Sequence, residues 1–329
     1  MTQRSSEFAR IELIRSVFAA GLSKRTVVGI GDDAAVLTPN SDPLVWTIDA
    51  QVEGVHFRRG FMEIADIGYR ATMAAVSDLG AMGATPVGIL AALVLPTNFA
   101  DDDLRALVEG QAEAAREVGA PIVGGNLARG SELSITTTVL GESSRPITRA
   151  GARVGDEVVL AGNVGLSGAG LLLLQASVGA TSDLVGHLVG HLDAAPALRA
   201  FRRPVARIRE GLAARDVATA GIDVSDGLAQ DVGHIAQSSG VRVVLDASKL
   251  VTSELERAAR LVGADPLALA LHGGEDFALV MTVPSGQVPE GFVSVGRVLA
   301  KENGRGDVVL DRGDGEFVVV ERRGWDHFG

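Results

Sequence analysis

Cysteine is absent from the 329 residues, which excludes a disulfide framework, a thiolate nucleophile and a thiolate metal site. Lysine occurs only at positions 24, 249 and 301. None of the three follows a glycine-rich turn, so a phosphate-binding loop of the GxxxxGK[ST] type is excluded. Aromatic residues make up only 4% of the chain, and cores must therefore be built from Val, Leu, Ile and Ala. The longest apolar run surrounds GILAALVLP (88–96) and is far shorter than the ~18 residues that a membrane span requires. The first residues, MTQRSSEFARIELI, contain no basic region followed by an apolar block and a cleavage site. They read as ordinary chain, not a signal peptide, and a cytoplasmic location is expected. Positive charge is nowhere concentrated: FRRP (201–204) and RRG (322–324) are too short to track a nucleic-acid backbone. Neither a nucleic-acid nor a membrane partner is expected.

What remains is an apolar, acidic chain. Hydrophobic residues reach 47%, and the formal net charge is -11. The length suggests about two domains. Residues 6–18 space Phe8, Ile11, Ile14 and Phe18 as a helix, with Ser5 or Ser6 as cap. LVWTID (44–49) reads as a strand, and a helix is predicted over roughly 63–83. VGILAALVLP reads as a buried strand, and Asp101–Asp103 as the cap of a further helix. PIVGG and ELSITTTVLGE read as strands, the second alternating Leu133, Ile135, Thr137 and Val139 inward. The pattern then restarts, so a boundary is placed at 147/148. An N-terminal domain of 1–147 would precede a C-terminal domain of 148–329. Strands and helices mix in both halves, which predicts an α/β (mixed α+β) architecture.

Carboxylates are grouped. GDDAA (31–35), TID (47–49), VSDLGAMGA (76–84), IDVSDG (222–227) and GGED (273–276) each set acids at an element end or beside glycine. Asp32 and Asp33 repel each other. From a regular strand they would point to opposite faces, so they need a turn or serve two ions. Carboxylates suit Mg2+, which binds a few of them together with waters and phosphates. Asp-Gly pairs are equally turn formers, and Asp226 taken alone reads as a helix cap. GLSGAG (165–170) reads either as a phosphate-binding helix start or as a tight turn before close helix packing. His187 and His191 stand at i, i+4 without a third ligand and read as surface residues. His56 and His272 flank acidic motifs and are candidate ligand contacts. An acidic chain with three lysines can hold a polyphosphate only through intervening cations. Phosphoryl transfer asks for little beyond such positioning and charge neutralisation.

GIGDDAAVL, TIDAQVEGVHF, AVSDLGAMGATP, IVGGN, TRAGARVGD, IDVSDGLAQDVGHI, HGGEDFAL and the terminal GWDHF, in this order, resemble the thiamine-monophosphate kinase family. That family belongs to a wider group of ATP-using enzymes similar to aminoimidazole-ribonucleotide synthetase. The resemblance implies two α/β domains with ATP in the cleft between them, and a homodimer joined through N-terminal sheets. It implies phosphorylation of thiamine monophosphate by ATP with several Mg2+ ions, by direct in-line transfer and without a general base. Its metal-binding positions fall on Asp32, Asp49, Asp78, Asp223 and Asp226, with Asp33 in the same turn and Thr47 beside the metals. Arg149 and Ser225, with Gly125 and Asn126, fall on ATP-contacting positions. His56, Glu275 and Trp325 fall on positions that hold the thiamine phosphate, and an indole suits a cationic thiazolium. Two departures stand out. The family's GGD reads GGN, so Asn126 offers an oxygen without charge, and one Mg2+ site is expected to be weaker or lost. The family's hydroxyl-hydroxyl-Asp triplet reads Thr47-Ile48-Asp49, which is expected to remove an oxygen donor. The alternatives are another ATP-using synthetase of the same group and a non-catalytic Mg-nucleotide-binding paralogue.

Overall fold

The computed structural model describes residues 6–178, 189–301, 307–313 and 316–321. The chain divides into two compact units. The first runs to Leu79 and resumes over Ala84–Ser144; the second comprises Gly80–Gly83 and the chain from Arg145 onward. The architecture mixes helices with mixed sheets, as the α/β expectation has it.

In the first unit, helix α1 (Glu7–Phe18) is capped by Ser6, whose Oγ accepts from the Ala9 N–H at 3.3 Å. Of its spaced apolar residues only Phe18 is buried, while Phe8 is 82% exposed. Strands β1 (Thr26–Val28) and β2 (Val36–Leu37) pair as a small antiparallel hairpin. A four-stranded sheet follows, in the order β3-β6-β4-β5. Its members are β3 (Leu44–Val52), β4 (Thr85–Pro96), β5 (Ile122–Gly130) and β6 (Ser134–Glu142). Only β4 and β5 run parallel. Leu133, Ile135, Thr137 and Val139 are all buried, as strict alternation over a half-covered sheet requires.

Helix α2 (Ile64–Ala81) and helix α3 (Asp101–Val118) touch backbone to backbone. A Cβ on Gly68 would stand 2.0 Å from the Leu107 carbonyl oxygen, and one on Gly110 would stand 1.9 Å from that of Ala65. Asp101–Asp103 fill the first turn of α3 without capping it. The N-cap is Ala100, which makes no side-chain bond, and Asp101 instead accepts from Arg10 Nε at 2.8 Å. Three acids in a first turn still favour the helix through its dipole. On the other side of the sheet, Leu44, Trp46 and Ile48 are between 63% and 70% exposed, and Leu90 is 39% exposed. They form an apolar face.

The second unit is built on a seven-stranded mixed sheet in the order β13-β12-β9-β11-β7-β10-β8. The strands are β7 (Glu157–Ala161), β8 (Ala220–Val224), β9 (Val241–Asp246), β10 (Ala278–Val283), β11 (Val293–Ala300), β12 (Val308–Asp311) and β13 (Phe317–Val319). β12 runs parallel to β9, and the other pairs are antiparallel. Val159, Ala161, Leu279, Met281, Val283 and Phe292 anchor one core. The helices are α4 (Leu166–Ser177), α5 (Ala195–Arg202), α6 (Ile208–Ala214), α7 (Leu228–Ser239), α8 (Ala247–Leu250), α9 (Ser253–Leu261) and α10 (Pro266–His272). Among the described residues, no helix is long and apolar enough to cross a membrane.

Candidate active site

The first acidic pair sits in the loop between β1 and β2. Gly31 has φ +124°, a backbone that L side chains rarely adopt, and it turns the chain so that Asp32 and Asp33 leave the strand. Both are exposed, and the Asp33 N–H donates to Asp32 Oδ1 at 2.8 Å. Water and this bond offset the repulsion that the sequence displays.

β3 carries Thr47 and Asp49 on one face of the edge strand. Thr47 Oγ1 donates a short hydrogen bond to Asp78 Oδ2 on α2. That bond ties two of the acidic motifs together across the helix–sheet interface. Asp49 Oδ2 accepts from Gln51 Nε2 at 3.3 Å. Directly across the ladder from Asp49 lies Thr137 on β6. Thr137 Oγ1 and Gln51 Oε1 are buried and have no hydrogen-bond partner among the described residues. Buried polar atoms without partners are rare in native folds. Here two of them flank a carboxylate, a donor set of the kind that a hydrated hard cation accepts. Neither residue was singled out from the sequence. The only cue was the strand alternation that puts Thr137 inward.

The register corrects the reading of Ile48. It pairs with Thr138 and is 66% exposed, on the opposite face from Thr47 and Asp49. A hydroxyl at position 48 would therefore not stand beside Asp49, because successive strand residues alternate sides. Position 126 stands one row away from Asp49. The row through Asp49 continues to Thr137, Ala91 and Gly125, whereas Asn126 pairs with Ala92 in the next row. Gly125 is needed for strand contact: a Cβ there would stand 1.9 Å from the Ala91 carbonyl oxygen. Downstream of β3, His56 Nδ1 accepts from the Val52 N–H at 3.1 Å and closes the turn after the strand. In the neutral ring this leaves the proton on Nε2.

In the second unit, Asp223 is buried near the end of the edge strand β8, with Ser225 and Asp226 in the turn that follows. Asp226 does not cap α7. The N-cap is Gly227, which has no side chain to do so. The residue that organises this turn is Asp231, one turn into α7 and only 2% exposed. Its Oδ2 accepts from the N–H groups of both Ser225 and Asp226, each at 3.1 Å. Burial, then the charges of Asp223 and Asp226, push its carboxyl up to about 8, although the two N–H donors pull the other way. The sequence cue for Asp231 was an acid one turn inside a helix that follows an acidic turn.

GGED continues this site. The Glu275 N–H donates to the Ser225 carbonyl at 2.6 Å, and the Phe277 N–H to the Val224 carbonyl at 2.8 Å. Glu275 and Phe277 have φ of 54° and 49°, left-handed backbone at non-glycine residues. Asp276 turns the other way. Its two carboxylate oxygens accept from the N–H groups of Gly165, at 2.6 Å, and Ser167, at 3.0 Å, at the start of α4. Burial pushes this carboxyl up to about 7 against those two bonds. The two readings of GLSGAG are thereby resolved, since the helix start is occupied by the protein's own carboxylate. Its glycines serve packing: a Cβ on Gly170 would stand 2.2 Å from the Ala197 carbonyl oxygen.

The remaining positions are dispersed. Arg149 is exposed, and its carbonyl accepts from Ser239 Oγ at 3.3 Å. His191 Nδ1 accepts from the Asp193 N–H at 3.2 Å, a capping role. Trp325, with GWDHF, RRG (322–324) and His187, lies outside the described residues. Among the described residues, no three Asp, Glu or His side chains gather to hold a metal ion on their own. Mg2+ rarely uses such cages; it takes one or two carboxylates and fills the rest with water and substrate phosphate. The donor chemistry around Thr47, Asp49 and Asp78 fits that habit.

Residues 31–143 match the family model described as AIR synthase related protein, N-terminal domain. The chain is 32% identical to a thiamine-monophosphate kinase structure from Stenotrophomonas maltophilia K279a, with a TM-score of 0.79 over 93% of this chain and 96% of that one. It is 33% identical to a structure of AaThiL complexed with AMPPCP and TMP, with a TM-score of 0.78 over 100% of both chains. The thiamine-monophosphate kinase of Aquifex aeolicus (strain VF5) is 33% identical over 324 residues, covering 98% of each sequence. Likeness of this extent in both sequence and fold shows that the chain belongs to the thiamine-monophosphate kinase family.

Proposed function

We propose that this chain transfers the terminal phosphoryl group of ATP to thiamine monophosphate, giving ADP and thiamine diphosphate. The observation that carries the reading is the full-length likeness to a structure holding both AMPPCP and TMP. AMPPCP is an ATP analogue, and TMP in that family is the phosphate acceptor. The residues that would hold Mg2+ are Asp32, Asp33, Thr47, Asp49, Asp78, Asn126, Asp223 and Asp226. Gly125, Asn126, Arg149 and Ser225 would contact ATP, and His56, Glu275 and Trp325 the thiamine phosphate. When bound, Mg2+ supplies charge neutralisation between two phosphate anions that otherwise repel.

The nucleophile is an oxygen of the acceptor phosphate. Its second pKa lies near ~6, so it is ionised at neutral pH and requires no general base. The chain's task is then orientation, which suits a direct in-line transfer without a phospho-enzyme. Thr47 holds Asp78 by donating to one of its oxygens, which fixes the orientation of the carboxylate. Asp231 holds the Ser225–Asp226 turn. The neutral amide at Asn126 favours one other reading, a paralogue that binds the nucleotide without turnover. ADP release measured with and without thiamine monophosphate separates the two. Release that depends on this substrate supports the kinase, and nucleotide binding without release supports the paralogue.

Asn126→Asp restores a carboxylate at the family position. It is expected to lower the Mg2+ concentration for half-maximal rate. An unchanged Mg2+ titration would show that position 126 does not face the ions, in keeping with its place one row from Asp49. The exposed face of Leu44, Trp46, Ile48 and Leu90 suits a second copy of this sheet, which fits the family's N-terminal dimer. Sedimentation equilibrium is expected to return a dimer for the native chain and a monomer for Ile48→Glu. A native monomer at micromolar concentration would remove this assignment.

A further inference from the structure

We propose that Asp231 is a positioning residue for the phosphoryl-transfer site: its buried carboxyl group holds the Ser225–Asp226 turn and, through that turn, the loop of residues 273–277. The inference rests on the functional reading above and deepens it.

Asp231 does not act as a helix residue would. A first-turn acid normally serves the free N–H groups of its own helix or faces solvent. Asp231 is 2% exposed, and a single oxygen accepts from two N–H groups that precede the helix. Burying a carboxylate close to two other acids is costly. The return is geometric: two consecutive amides converge on one fixed point.

That turn supports the next loop. The Ser225 carbonyl accepts from the Glu275 N–H at 2.6 Å, and the Val224 carbonyl accepts from the Phe277 N–H at 2.8 Å. Between these bonds the backbone is left-handed at Gly274, Glu275 and Phe277, with φ of 68°, 54° and 49°. Non-glycine residues keep such a conformation only where surrounding bonds over-determine it. The bonds here lead back through Ser225 to Asp231. One buried carboxyl group thus sets both the turn assigned to metal and nucleotide and the loop assigned to the acceptor. Asp231 itself is buried behind both.

The test compares Asp231→Asn, which keeps an acceptor oxygen, with Asp231→Ala, which removes it. Two readouts are taken on the full chain. The first is native-state amide exchange at Ser225 and Asp226 by NMR, without metal or nucleotide. Exchange is expected to be about tenfold faster in the alanine variant and near native in the asparagine variant. The second is steady-state kinetics. The alanine variant should raise KM for ATP and for thiamine monophosphate together, and asparagine should restore both. Native exchange in the alanine variant would overturn the proposal, as would faster exchange with both KM values unchanged. If the alanine variant fails to fold, the asparagine variant decides. Native kinetics there support an acceptor role. Lost activity with protected amides would assign the function to the charge itself and overturn positioning. A native enzyme without thiamine-monophosphate-dependent ADP release would defeat the functional reading, while the exchange measurement would still judge Asp231.

Discussion

Asp78→Asn is expected to lower turnover more than ~100-fold while leaving the fold intact. The side chain is half-buried on α2, and one of its oxygens accepts from Thr47 Oγ1. Asparagine has nearly the same shape and can still accept that bond through its carbonyl oxygen. What it loses is the charge and the second acceptor oxygen, the properties a hard cation uses. The stability change should therefore stay within about 0.5 kcal/mol, as for substitutions that break no packing. The measurement is ADP release beside a thermal melt. Native turnover would remove Asp78 from the metal set. A large drop in melting temperature would instead assign the residue a structural role through the Thr47 bond.

The second large effect lies in the fold. Gly110→Ala should destabilise the first unit by about 3 kcal/mol or more, the upper range for overpacking. Its Cβ would stand 1.9 Å from the Ala65 carbonyl oxygen and 2.7 Å from the carbonyl carbon. Backbone atoms cannot step aside as a flexible side chain would, so α2 and α3 must separate. Gly68 faces the same constraint from the opposite helix, 2.0 Å from the Leu107 carbonyl oxygen. Separation would shift α2, which carries Asp78, so activity should fall with stability. Gly21→Ala is the control: nothing lies within 4 Å of its Cβ position, and a change within about 0.5 kcal/mol is expected. Urea midpoints followed by circular dichroism compare the two. Equal midpoints would show that the α2–α3 contact relaxes freely.

The sequence carried more of the elements than of their arrangement. Helix and strand identities were legible because burial imposes periods of 3.6 and 2 on the chain. Leu133, Ile135, Thr137 and Val139 show this directly, and so does the cap at Ser6. Strand alternation left Asp32 and Asp33 either in a turn or serving two ions, and the structure shows the turn. Caps were less legible. Asp226 and Asp101 have the right chemistry for capping, yet Gly227 and Ala100 hold the cap positions. Capping depends on one residue of phase, and a local pattern does not set that phase. Ile48 differs: strand alternation alone sets it on the face opposite Thr47 and Asp49. Which of those faces is covered follows from tertiary packing, and Ile48 is on the exposed one.

The sequence by itself determined the composition of the site. It set an acidic chain with three lysines and no cysteine, its carboxylates gathered at glycine-flanked element ends in a family-specific order. Residue chemistry is a local property, and so it can be read locally. Tertiary structure decided which carboxylates are taken up by the protein's own backbone. Asp276 uses both carboxyl oxygens on the start of α4, and Asp231 uses one of its own on the Ser225–Asp226 turn. Asp78 accepts from Thr47 across the helix–sheet interface. Those roles rest on hydrogen bonds shorter than about 3.3 Å. Such distances are set by packing between segments far apart in the chain, which sequence spacing does not encode.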